Sequence, residues 1–148
     1  MESASGSVGT FAVQIARAFG VEVTGVCSEA SFGLVRSLGA RRVFERSREE
    51  FVAEGSSYDV VFDAVGALGA EARRALARAP VFLDVHTASD AIRAAEAPRL
   101  LRALKTLVEE GKVKAVLDRT YGWEQMAQAH RYVDQGHKKG SVAVTVGA

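Results

Sequence analysis

Apolar residues recur at Val8, Phe11, Ala12, Ile15, Ala16 and Phe19. That is the i, i+3, i+4, i+7, i+8, i+11 spacing of one helix face, so the pattern predicts a helix from Val8 to Phe19 with Gly20 as its C′ stop. Val21 to Val26 then alternates around β-branched residues for the length of a strand and turns polar at Cys27-Ser28-Glu29. Phe32, Leu34, Val35 and Leu38, closed by Gly39, predict a short helix, and Arg42 to Phe44 a short strand. Asp59 to Val65 is apolar almost without a break, the signature of a parallel strand covered on both faces, and Gly66 ends it. Leu68 to Ala79 reads as an Ala-rich helix stopped by Pro80, with Val81 to Val85 as the next strand. Pro98 suits a first helical turn, and the stripe Leu100, Leu101, Leu104, Leu107 and Val108 carries that helix to Gly111. Val113 to Leu117 predicts a strand, Trp123 to Gln135 a helix, and Val142 to Val146 a terminal strand. Strands alternating with helices argue for an α/β fold, a Rossmann-like doubly wound parallel sheet.

Length and composition narrow the picture. A chain of 148 residues suits one domain spanning 1–148. Hydrophobic residues at 48% and charged residues at 25% are globular values and argue against disorder. A formal charge of +1 is far from what phosphate neutralisation on nucleic acid requires, so no nucleic-acid partner is expected. The apolar runs fall well short of the ~20 residues that span a bilayer, so no membrane partner is expected either. The single cysteine, Cys27, cannot form an internal disulfide, and no basic-then-apolar leader precedes the first helix. Both features predict a reducing, cytoplasmic setting.

Ahead of the first helix stands Ser3-Ala4-Ser5-Gly6-Ser7-Val8-Gly9. Small residues let a backbone approach a pyrophosphate, and the free N–H groups of the helix that follows face the anion. From Ala4 the spacing is A-x-G-x-x-G, one Ala away from the dinucleotide fingerprint. A plain N-cap loop explains the same residues. The fingerprint also needs a preceding strand, and in the doubly wound order 3-2-1-4-5-6 that strand is central. The terminal strand Val142 to Val146 is the expected filler of the gap.

Several longer runs carry a resemblance. Ala4 through Gly20, Val21 through Ser28, Leu34-Val35-Arg36-Ser37-Leu38-Gly39-Ala40 and Tyr58 through Gly66 resemble the cofactor domain of zinc-independent medium-chain dehydrogenase/reductases of the quinone oxidoreductase type. So does Leu104 through Val146, with Gly111-Lys112-Val113, Leu117 through Tyr121 and Gly136-His137. The resemblance implies a nicotinamide cofactor, a small carbonyl or quinone substrate and a possible homodimer. It also implies that the family's first Rossmann strand and chaperonin-10-like catalytic domain are missing here, and that the chain is shortened between Val85 and Pro98.

By that resemblance the cofactor-binding residues are Ser5, Gly6, Ser7, Val8 and Gly9 in the loop, Ser28 at the end of the second strand, Arg46, and Asp63, Val65 and Gly66 in the turn near the nicotinamide. An NAD-type site places Asp or Glu where Cys27 and Ser28 stand. Without that carboxylate Ser28 is free to bond a 2′-phosphate and Arg46 to support it, while Glu29 opposes, so the expectation is a slight preference for NADPH over NADH. Ser141 stands where relatives often have Lys near the cofactor.

The remaining candidates have plain alternatives. Cys27, His86, His130 and His137 are too scattered for a metal site, and none is expected. Cys27 reads as a small buried hydrophobe, His86 as a surface-loop histidine, and Asp63 as a structural acceptor. Tyr121 and Trp123 read as packing residues, and Lys138 and Lys139 as solvated. No G-x-S-x-G or G-x-x-x-x-G-K-[ST] motif occurs. No catalytic residue is assigned. Two classes of function stay open: an NAD(P)H-dependent oxidoreductase passing hydride to a quinone or enone, impaired when alone, and a non-catalytic dinucleotide-binding or partner-dependent module.

Overall fold

The computed structural model describes residues 3–46, 58–66, 81–88 and 96–147. The helix predicted at Leu68 to Ala79 lies outside them. Helix α1 spans Ser7–Ala18 and buries Gly9, Thr10, Val13 and Gln14. It stops where Gly20, at φ 74°, lets the Val21 N–H turn back onto the Ala16 carbonyl. Strand β1, Thr24–Cys27, leads through a 3₁₀ turn at Glu29–Ser31 into α2, Phe32–Ser37, and returns as β2, Arg42–Glu45. The two strands pair in parallel, Gly25 opposite Val43 and Val26 opposite Phe44. Strand β3, Val60–Asp63, pairs in parallel with β4, Val81–Asp84, and α3, Val85–Ala88, follows directly. Helix α4, Ala97–Glu109, β5, Leu117–Gly122, α5, Met126–Asp134, and β6, Ser141–Thr145, complete the order, with β6 parallel to β5. Every strand pair among the described residues is parallel, which makes this an α/β fold.

The core has two centres. Val13 from α1 packs with Ala4, Val23, Cys27, Val35, Ala40 and Val43. Val26 and Val61 form a second cluster with Phe44, Tyr58 and Phe82 around them. A fully buried valine contributes on the order of 1.5–3 kcal/mol, and it is the first cluster, through Val13, that anchors α1 on β1 and β2.

Five expectations need correction. The predicted strand at Val113 to Leu117 begins only at Leu117, because the Lys114 backbone is bonded elsewhere. Its N–H donates to Gln14 Oε1 at 2.9 Å and its carbonyl accepts from Gln14 Nε2 at 3.0 Å. Val85 starts a helix rather than ending a strand. The terminal strand, expected to stand in for a central strand, pairs instead with β5, as a right-handed β–α–β crossover through α5 favours. A cleft of about 390 Å³ lies between β1 and β3, walled by Ala12, Ile15 and Ala16 of α1 with Val21, Val23, Tyr58, Val60 and Phe62. Finally, β3, which its continuous apolar run predicts to be covered on both faces, leaves Val60 exposed beside buried Val61. The leucine stripe of α4 also faces solvent, Leu101 at 65% exposure, and no residue of that helix is buried.

Candidate functional site

The glycine loop is held from both sides. The Ala4 N–H donates to the Val26 carbonyl at 3.0 Å, fixing the loop to the end of β1, and the Gly140 N–H donates to the Ser5 carbonyl at 2.8 Å. Gly6 caps α1 in an extended conformation, with no side-chain hydrogen bond occupying the first-turn N–H groups. Gly9 is required by space. A Cβ there would lie 2.2 Å from the Ser3 carbonyl oxygen and 2.8 Å from Ala4 Cα, so only glycine lets α1 start this close under the loop.

Above the loop lies a pocket of about 480 Å³. It brings together eight residues expected from the sequence: Ser5, Gly6, Ser7, Val8, Gly9, Ser28, Arg46 and Val65. Asp63 sits behind the wall, fully buried, and its Oδ1 accepts from the Val65 N–H at 3.1 Å and the Gly66 N–H at 2.8 Å. The carboxylate therefore shapes the turn at the end of β3, the structural-acceptor reading of the sequence. Gly66 does not line the pocket; its φ of 66° and a Cβ position 2.6 Å from the His86 ring show a tight approach between that turn and α3. His86 itself is exposed, with its N–H donating to Asp84 Oδ1 at 2.8 Å. Cys27 lines the pocket and is buried, as a small hydrophobe would be.

Sequence reasoning missed the far wall. Val133, Gly136 and Lys138 reach the pocket from the C-terminal segment, and Glu45 sits beside Arg46. Lys138, expected to be solvated, is half-buried, and its Nζ donates to Ser7 Oγ at 2.7 Å and to the Gly140 carbonyl at 2.8 Å. Ser7 Oγ in turn donates to the Gly140 carbonyl at 2.9 Å. Lys139, also half-buried, donates from Nζ to the Ala30 carbonyl at 2.7 Å. No spacing rule links residues 131 positions apart; the resemblance brings this segment to the cofactor at Ser141, and the fold adds Lys138.

The same segment is pinned at its back by a polar cluster. Asp118 Oδ2 accepts from the Tyr132 hydroxyl at 2.5 Å and from the Lys139 N–H at 3.1 Å. The Tyr132 bond chiefly holds the Asp118 carboxyl below its ordinary pKa, against the opposing effect of burial. The same bond raises the pKa of the Tyr132 hydroxyl. Arg119 stacks its guanidinium 4.0 Å from the Tyr132 ring centre. Trp123, expected to pack, is 58% exposed.

Likeness to known proteins agrees with this geometry. The family profile of zinc-binding dehydrogenases matches residues 38–144. The chain belongs to that family. The mitochondrial NAD(P)H oxidoreductase of Mus musculus is 29% identical over 184 residues, covering 97% of this chain and 46% of its own length. That alignment is longer than the chain itself, so the relative carries stretches with no counterpart here. The chloroplastic NADPH-dependent alkenal/one oxidoreductase of Arabidopsis thaliana is 30% identical over 155 residues, covering 95% of this chain and 38% of its own. The quinone oxidoreductase structure from Coxiella burnetii shares the fold at a TM-score of 0.73 and 20% identity, over 99% of this chain and 51% of that one. The chain thus spans about half the length of the relatives it matches, and its parallel α/β fold is theirs. Among the described residues no group of three or more His, Cys, Asp or Glu side chains could hold a metal ion. The first-turn N–H groups, the Gly9 close approach and the small-residue loop open into one pocket, an arrangement that suits the phosphates of a dinucleotide.

Proposed function

We propose that this chain is the cofactor-holding part of an NAD(P)H-dependent oxidoreductase whose substrate is a small quinone or enone. The observation that carries the reading is the pocket in which the glycine loop, the end of β1 at Ser28 and the turn after β3 at Val65 converge. Convergence of a helix N-terminus with the carboxyl ends of parallel strands is where α/β sheets bind nucleotides. The relatives' names supply the chemistry: an NAD(P)H oxidoreductase and an NADPH-dependent alkenal/one oxidoreductase.

A bound nicotinamide dinucleotide supplies the hydride; the protein supplies position and shielding. The N–H groups at the start of α1 receive the diphosphate, and Ser5, Gly6 and Ser7 give it room. Ser28 and Arg46 receive a 2′-phosphate, which favours NADPH slightly over NADH. Asp63 holds the Val65 and Gly66 N–H groups in the turn that borders the nicotinamide end. A second reading, a dinucleotide-binding module that works only with a partner, draws support from the apolar cleft between β1 and β3. A homodimer is the simplest such partner.

Thermal unfolding with each nucleotide tests the reading. A ligand of the native state at a hundredfold excess over Kd adds about 2.7 kcal/mol. For a chain of this size that raises Tm by roughly 5–10 °C. NADPH is expected to give that shift and NADH a smaller one. A transition unmoved by either nucleotide overturns the reading.

A further inference from the structure

We propose that Lys138 is the cation that binds the diphosphate of a dinucleotide at this site. The inference rests on the dinucleotide reading above and adds a ligand from the opposite end of the chain. The glycine loop and α1 carry no basic side chain before Arg17, at the far end of the helix. A side-chain charge for the diphosphate therefore comes from another segment, and of the two cations lining the pocket, Arg46 and Lys138, it is Lys138 that is bonded to the first residue of α1.

Its placement is built rather than incidental. The ammonium sits 2.7 Å from Ser7 Oγ, on the first residue of α1, where the helix N-terminus already favours an anion. The second bond, to the Gly140 carbonyl, is made within a segment fixed at three further points. Those are the Gly140 N–H on the Ser5 carbonyl, Lys139 Nζ on the Ala30 carbonyl, and the Lys139 N–H on Asp118. An ammonium has three protons to donate, and these two bonds use two of them. A diphosphate oxygen entering above Gly6 takes the third without unseating the side chain. The residue has no carboxylate within ion-pairing distance among the described residues, so its charge is not already spent.

Gly140 makes the approach possible. Its φ of 75° turns the chain back at the start of β6, and a Cβ there would lie 2.4 Å from the Val116 carbonyl oxygen. Residues 138–140 consequently cross the mouth of the loop on one fixed path, which sets the point from which the Lys138 side chain reaches Ser7 and the Gly140 carbonyl.

The test is titration of the whole chain and of Lys138→Met and Lys138→Arg with NADPH, with inorganic pyrophosphate and with adenosine, each at low and high salt. Loss of one charge-assisted hydrogen bond predicts affinity for NADPH and pyrophosphate about tenfold to a hundredfold weaker in Lys138→Met. Lys138→Arg retains most of the affinity, adenosine binding is unchanged by either variant, and the salt dependence of NADPH binding is shallower in Lys138→Met. Equal NADPH affinity in wild type and Lys138→Met overturns this inference and leaves the dinucleotide reading standing. Pyrophosphate binding that depends on Lys138 without any NADPH binding upholds the cation site and overturns the dinucleotide reading. A wild type that binds neither overturns both.

Discussion

Replacing Gly9 by alanine sets two known effects against each other. Gly9 lies within α1 at a helical position, where alanine is preferred by about 1 kcal/mol. The added Cβ, however, meets the Ser3 carbonyl oxygen at 2.2 Å and Ala4 atoms at 2.8 and 2.9 Å. These are backbone atoms, and Ala4 is both fully buried and bonded to β1, so no rotamer change relieves the overlap. Overpacking costs about 1–3 kcal/mol, and a backbone clash lies at the upper end of that range. The net expectation is a loss of about 2 kcal/mol, or a fall in Tm of roughly 4–8 °C. Gly33 provides the internal control: it lies in α2 with nothing within 4 Å of a Cβ, so Gly33→Ala is expected to be neutral or stabilising. Differential scanning calorimetry on the two variants, with nucleotide affinity measured beside it, reads both effects. A Gly9→Ala variant as stable as the wild type, binding NADPH unchanged, would refute the argument that the loop and α1 touch too closely for a side chain.

Gln14→Leu removes the amide that satisfies both backbone groups of Lys114, and with two such groups left unbonded it should cost about 2–4 kcal/mol in urea unfolding. Unchanged stability would mean that water takes over both bonds. Asp118 has a lowered folded-state pKa, chiefly through Tyr132, so its contribution is complete at neutral pH. It disappears as pH falls from the ordinary carboxylate range through the lowered value. Asp118→Asn should flatten that acid limb in a pH series of melting temperatures, and an unaltered limb would show that other carboxyls govern it.

The Rossmann-like order was legible from periodicity because burial imposes it. The elements form where apolar content places them, although α1 turns Gly9, Thr10, Val13 and Gln14 inward while Val8 and Phe19 of the apolar stripe stay exposed. The loop residues were legible because only small side chains permit its contacts. Three things were not. The start of β5 depends on Gln14 claiming the Lys114 backbone a hundred residues away, which no local pattern encodes. The exposure of the α4 leucine stripe depends on what packs there, whereas amphipathicity reports only that a face is apolar. Lys138 reads as an ordinary surface lysine, and it acquires chemistry only when β6 pairs with β5 and carries Gly140 beside Gly6.

The central claim is that a dinucleotide lies across the glycine loop between β1 and β3 ends. Backbone amide chemical-shift mapping of the isotopically labelled chain during an NADPH titration tests it most directly. The account predicts that the largest shifts fall at Gly6, Ser7, Gly9, Ser28, Val65 and the Lys138–Gly140 segment, with a smaller response to NADH. Shifts gathered instead around Ala12, Ile15, Val23 and Val60, in the cleft between β1 and β3, would contradict it.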